Sequence, residues 1–267
     1  MNANRKLWMI AAAVCVGAAA LETSAQSSTD APRGPDGHPD LNGTWYNGDG
    51  VLHVRPVAKP DGSICIAGCE DELTEPAPSR VPIERPSYKP EFLAKVRDLD
   101  ERQVDEDPAL RCMPPGVPRI GPPDKIVQIP GQLVFLYNDI TGNHFRTIPT
   151  DGRGHRTDVG SDYLGDAIGH WEGDTLVVET TSFNEDTWLT DDGSFHTTDL
   201  KVIERLRREG NELHYQATAY DPAILTEPWV KAPRVATLTS RELVPAPPCD
   251  ERDLDLIIDN SHHDNRR

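Results

Sequence analysis

Between residues 126 and 243 the chain breaks into short β-forming runs, most of them bracketed by turn residues. Ile126–Ile129 and Leu133–Tyr137 flank Pro130-Gly131-Gln132, and Phe145–Ile148 runs into Thr150-Asp151-Gly152-Arg153. Tyr163–Trp171 and Thr175–Thr181 flank Glu172-Gly173-Asp174. Leu200–Arg207 and Leu213–Tyr220 flank Glu209-Gly210-Asn211, and Val235–Leu243 closes the series. Turns this short join antiparallel strands, because a parallel pair needs a long crossover. There is no βαβ alternation and no internal repeat. The chain is therefore mainly β, an antiparallel barrel or sandwich.

Alternation within the strands favours a barrel. Neighbouring strand residues point to opposite faces. Leu200, Val202, Glu204 and Leu206 share one face of their strand, and Leu213, Tyr215, Ala217 and Ala219 supply the matching face across the turn. The small residues there are expected to leave room for a ligand. Glu204 is expected to point inward among aliphatics, which is costly unless it is paired. Arg153, Arg146 or Tyr215 could satisfy it. If poorly paired, its pKa should rise and suit it to proton transfer. In Thr175–Thr181 the face with Thr175, Val177, Glu179 and Thr181 is the more polar. It is either a wet exterior or a polar pocket floor.

Upstream of the hairpins, residues 26–40 are rich in Ser, Asp, Pro and Gly and read as a flexible leading segment. Leu41-Asn42-Gly43-Thr44-Trp45 follows, and its Gly-x-Trp resembles the first strand of lipocalins, where Trp plugs one barrel end. Residues 46–86 are loop-rich, with short strands expected near Val51–Val54 and Ser63–Ala67. Lys89 to Glu106 is the one convincing helix. Pro90 fits its first turn, Phe92, Leu93, Val96 and Leu99 form an apolar stripe, and Asp107-Pro108 ends it. The stripe should pack against the outside of a sheet. A single barrel domain is expected over 41–267.

The first 25 residues read as a secretory signal. Arg5-Lys6 precede the apolar run Leu7–Leu21, and Thr23-Ser24-Ala25 resembles a cleavage site. The mature product is expected to be periplasmic or secreted, without stable membrane insertion. Beyond the signal lie Cys65, Cys69, Cys112 and Cys249. An even set in an exported chain suggests disulfides, Cys65–Cys69 locally and Cys112–Cys249 across the fold. A formal charge of −17 opposes binding to nucleic acid or anionic lipid.

The candidate reactive groups gather on the same hairpins. His155, His170 and His196 lie at loops or strand ends, where histidine beside a carboxylate suits proton transfer. No His-Glu-x-x-His or His-x-His pattern points to a metal, and no glycine-rich nucleotide loop or Gly-x-Ser-x-Gly elbow is present. No cofactor is expected. Trp171, Phe183, Trp188, Phe195 and Trp229 fall around the loops joining the later strands and could hold a flat, greasy ligand.

The segments PDLNGTW (39–45), RCMPPGVPRI (111–120), KIVQIPGQLVFLY (125–137), FRTIPTDGRGH (145–155), GHWEGDTLVVETTSFNEDTWL (169–189), HTTDLKVIERLRR (196–208), YDP (220–222) and EPWV (227–230) together resemble a large family of exported bacterial proteins. The resemblance implies recurring positions at Asp151, Arg153, His155, Trp171, Glu179, His196, Glu204, Arg205 and Trp229, but no single activity. The stretch VPAPPCDERD around Cys249 departs from the family pattern, which leaves the Cys112–Cys249 bridge open.

Two functions follow as expectations. The first is an exported, cofactor-independent enzyme of lyase, isomerase or cyclase type, acting on a small apolar or aromatic molecule inside a lipocalin-like barrel. Glu204 would be its acid or base, His196 and His155 proton partners, and Arg153 a clamp for an anionic oxygen. Trp171, Trp188 and Trp229 would wall the pocket, with Tyr215 and Glu179 as further contacts. The second is a periplasmic binding or carrier protein with the same barrel and no chemistry. An extracellular interaction module is a third reading, and it explains the inward carboxylate least well. A Glu204 facing open pocket volume near either histidine favours the enzyme. A Glu204 neutralised by an arginine in a filled core favours carriage or a structural role.

Overall fold

A computed structural model describes residues 31–47, 57–58, 64–65, 85–245 and 249. The signal segment, Cys69 and the strand expected at Val51–Val54 lie outside the described residues. So does the partner of Cys65 in the expected local bridge.

The strands are β1 (Gly43–Tyr46), β2 (Val57–Ala58), β3 (Ile64–Cys65), β4 (Lys125–Ile129), β5 (Gln132–Asp139) and β6 (Gly142–Pro149). They continue with β7 (Asp166–Glu172), β8 (Thr175–Thr181), β9 (Lys201–Glu209), β10 (Glu212–Tyr220), β11 (Trp229–Val230) and β12 (Arg234–Thr239). β2 and β3 form a separate pair. The main sheet runs β6-β5-β4-β1-β12-β10-β9-β8-β7, every pairing antiparallel, with β11 added beside β10. It curls into a nearly closed barrel. The path has nine strands, so its two ends run in the same direction. β6 and β7 therefore cannot close it with an antiparallel ladder. Side-chain packing fills the seam instead. A Cβ on Gly169 of β7 would lie 2.9 Å from Ile148 and 3.1 Å from Thr150, so only glycine admits the two strands at this spacing.

The inward faces follow the alternation. Leu133, Phe135 and Tyr137 of β5, Leu176 and Val178 of β8, Val202 and Leu206 of β9, and Leu213, Tyr215, Ala217 and Ala219 of β10 are all buried in one core. Trp45 is fully buried at the base, its indole N–H donating to the Leu41 carbonyl at 3.0 Å. The Arg208 guanidinium lies 5.4 Å over its ring. The described part of the leading segment makes specific contacts with distant turns. Arg33 binds Asp174 in the β7–β8 turn through both carboxylate oxygens, at 2.5 and 2.9 Å. His38 stacks on Trp171 with ring centroids 4.6 Å apart, and Arg208 donates to the Asp40 carbonyl. Residues 33–41 thus close the base. Their polar composition suggested mobility, but specific partners on distant turns hold them.

Other boundaries shift. The expected helix is a 3-10 turn, Pro90–Phe92, then α1 (Leu93–Glu101) and α2 (Gln103–Glu106), broken at Arg102. Asp107 ends it and caps the next turn by accepting from the Ala109 N–H at 2.9 Å. Val96 is buried, but Leu93 is 45% exposed, so the stripe is narrower than expected. The helix also packs on the connection between β8 and β9, not on a strand. A Cβ on Gly193 would lie 2.6 to 2.9 Å from Asp100, Val96 and Leu99. β7 starts at Asp166, not Tyr163, and β12 stops at Thr239. The two-residue β11 was not foreseen.

Cys112 and Cys249 are bridged, with Cα atoms 5.6 Å apart, a spacing that suits a disulfide. Their separation of 137 residues makes the closed loop long, and such a cross-link stabilises by about 4–5 kcal/mol through the unfolded chain. Replacing both cysteines with serine should lower the unfolding free energy by a comparable amount. Denaturant unfolding with and without reductant measures it, and reductant should then have no further effect on the variant.

Candidate functional site

The inward alternation of β9 places Glu204 in the middle of the barrel with no solvent exposure. β6 places Arg146 opposite it, because Arg146 shares a face with Ile148 and pairs in register with the inward Phe135. The two meet as a bidentate ion pair. Arg146 Nη1 reaches Glu204 Oε1 at 3.0 Å and Nη2 reaches Oε2 at 2.6 Å. Tyr215 donates its hydroxyl to Glu204 Oε1 at 3.0 Å. Arg146 also donates to Tyr137 Oη at 3.1 Å and Thr180 Oγ1 at 2.7 Å. The network joins β5, β6, β8, β9 and β10.

Burial alone would depress the Arg146 guanidinium, but Glu204 and Tyr137 outweigh it and hold its pKa above the usual arginine value. Burial raises the Tyr137 and Tyr215 phenols, and the Glu204 charge adds to both. The site is thus a neutral pair of opposite charges flanked by protonated phenols. One donor is left over: the buried Nε of Arg146 has no hydrogen-bond partner among the described residues.

Neither histidine joins this centre. His196 is buried between the loops above the barrel, its Nδ1 2.9 Å from the Thr197 carbonyl and its Nε2 2.6 Å from Thr187 Oγ1. A carbonyl can only accept, so Nδ1 carries the proton and Nε2 accepts from Thr187. Burial lowers its pKa, against weaker opposing effects of Thr197 and Asp221, and keeps the ring neutral. His155 lies on the other side of the wall. Glu179 pairs in register with Ile203, one step from Glu204, so Glu179 and Glu204 face opposite sides of the sheet. His155 contacts Asp166 at 3.0 Å and Glu179 at 3.3 Å on that outer face. Arg156 and Lys201 complete the outer cluster, through Asp166 at 2.7 Å and Glu179 at 3.6 Å. Sheet alternation thus gives the wet-exterior alternative for Glu179.

Arg153 is no clamp for the centre. It is exposed and folds back on Asp151 within its own turn, its Nε 2.9 Å from Oδ1. That hydrogen bonding lowers the Asp151 carboxyl to about 2. Trp188 and Trp229 are buried in the core cluster, and Trp171 packs at its edge under His38. They sit at different places. Trp171 is at the base, Trp229 is on β11, and Trp188 pairs with Phe195 in the upper loops. They do not converge as one wall.

The residues least visible beforehand are Arg146's partners Tyr137 and Thr180, and Lys231. The run Phe145–Ile148 already put Arg146 and Ile148 on one face, which was a usable signal. Lys231 follows a two-residue strand too short to carry a pattern.

Leaving one half of the buried pair unmatched costs about 3–5 kcal/mol, whereas replacing both halves with apolar groups costs less or nothing. Glu204→Gln and Arg146→Met alone should therefore each destabilise strongly. The double variant Arg146→Met with Glu204→Leu should recover much of the loss. Equilibrium denaturation of the three proteins checks it, and additive losses would contradict the pairing. No protein-family model, curated protein or solved structure matches the chain.

Proposed function

We propose that this protein is an exported barrel that binds or carries a small apolar or aromatic molecule bearing an oxygen acceptor. The observation that carries the reading is the Nε–H of Arg146, buried beside aliphatic and aromatic side chains with no hydrogen-bond partner among the described residues. A buried N–H without an acceptor is uncommon in folded proteins, and a ligand oxygen would satisfy this one. Ala217 and Ala219 add only small side chains to the same inner face. The Cys112–Cys249 bridge supports an oxidising compartment, periplasmic or extracellular.

Acid–base catalysis at Glu204 is less well supported. Both of its oxygens are occupied, by Arg146 and Tyr215, and neither His155 nor His196 binds it. Three of the carboxylate's roughly four lone pairs are taken, and no histidine stands beside it to relay a proton. The neutralised carboxylate therefore favours carriage over turnover.

The test is to incubate the purified mature chain with aromatic and terpenoid metabolites, without cofactor, and to follow both binding and product by mass spectrometry. Carriage predicts saturable binding with the ligand recovered unchanged. Conversion of any ligand, abolished by Glu204→Gln in a variant that still binds, would establish the enzyme instead. No binding across the panel would remove both readings.

A further inference from the structure

Strand register puts Lys231 and Arg234 on the inner face of the barrel, with no carboxylate partner for either among the described residues. The Lys231 N–H bonds to the Ala217 carbonyl at 2.9 Å, so Lys231 extends β11 opposite the inward Ala217. Ala217 is in turn paired with Glu204, so Lys231, Ala217 and Glu204 lie in one row across the inner wall. Arg234 pairs with the inward Tyr215, in the next row. Both cations therefore flank the central ion pair from the β10 side.

Their surroundings are built rather than accidental. Lys231 Nζ is half-buried and donates to the carbonyls of Pro118 at 2.8 Å and Arg119 at 3.3 Å. Those carbonyls belong to a tight turn closed by Gly121 N–H to Pro118 O at 3.1 Å. Arg234 Nη1 lies 3.4 Å from the Cβ position of Gly121, over the same turn. Arg119 is already satisfied by Asp107, through two bonds of 2.7 Å, and by Asp191. Arg234 is exposed, and among the described residues its side chain has no hydrogen bond or ion pair and no carboxylate lies within ion-pair distance of Lys231. Lys231, half-buried beside the central pair, and Arg234, exposed at the start of β12, thus meet over one turn, and neither has a carboxylate partner among the described residues.

We infer that Lys231 and Arg234 form the head-group seat for an acidic ligand: an apolar molecule carrying a carboxylate or similar oxyanion, its body lying in the barrel. This rests on the binding reading above and narrows its ligand class. The charge fits the geometry. An ammonium with one N–H still unused and a planar guanidinium can together hold both oxygens of a carboxylate. Burial, and then Arg234, push the Lys231 amine down to about 8, with Arg119 adding and Asp191 and Glu204 opposing. An arriving anion offsets that repulsion.

Two fluorescent probes separate the claims: anilinonaphthalenesulfonate, which is anionic, and N-phenylnaphthylamine, its uncharged counterpart. Wild-type protein should bind the anion at least about tenfold more tightly than the neutral probe. Lys231→Met and Arg234→Gln should each remove most of that preference and leave the neutral probe unchanged. The preference should also fade as pH rises through about 8, where Lys231 loses its charge. Equal affinity for both probes, unaffected by either variant, overturns the acidic-ligand inference and leaves the barrel reading standing. Binding of neither probe overturns the barrel reading and this inference with it. If Lys231→Met fails to fold because the turn at Pro118 comes loose, Arg234→Gln decides alone, since the Arg234 side chain holds no hydrogen bond or ion pair among the described residues.

Discussion

The buried pair of Arg146 and Glu204 holds the barrel's two halves to one another. In a path of nine antiparallel strands the first and last run the same way, and among the described residues no ladder joins them. The seam between β6 and β7 is therefore packed, not laddered. Arg146 on β6 reaches past it to Thr180 on β8 and Glu204 on β9. A charge pair in a dry interior is weak in net stability but strict in geometry. It fixes which strands face one another where backbone pairing does not.

The same pair divides the chemistry of the molecule. Inside, both Glu204 oxygens accept hydrogen bonds, while among the described residues one arginine N–H has no acceptor and the two flanking cations have no carboxylate. Outside, His155 rests between Asp166 and Glu179 on the wall of β7 and β8. The sheet keeps these sets apart. Adjacent residues along a strand, such as Ile203 and Glu204, face different worlds. The two ends also differ. The base is stopped by Trp45 and the strap at residues 33–41. The other end is built from loops carrying α1, His196 and the turn at 116–121.

Much of this architecture was legible in the residues. Turn chemistry every few residues gave the antiparallel hairpins, and the alternation in β9 and β10 gave Glu204 its inward direction and complete burial. Arg146 and Tyr215 were foreseeable partners, and both bind it. What failed was the assembly of separate signals into one site. His155, His196 and Arg153 are near Glu204 in the chain's logic of hairpins, yet each is spent elsewhere. Histidine spacing carries no information about which side of a distant strand it will meet. Lys231 and Arg234 were invisible for the opposite reason. Their strands are too short, or too exposed, to show a period.

The sequence by itself determined strand directions, the apolar lining and the inward acid, because a two-residue repeat and a tight turn are local properties of the chain. Tertiary structure alone decided that the acid is neutralised by Arg146, that the polar leader becomes a stopper, and that two cations share the inner wall with it. Those outcomes depend on which strands become neighbours around a closed sheet, and neighbourhood around a barrel is set by long-range register, which no local pattern encodes.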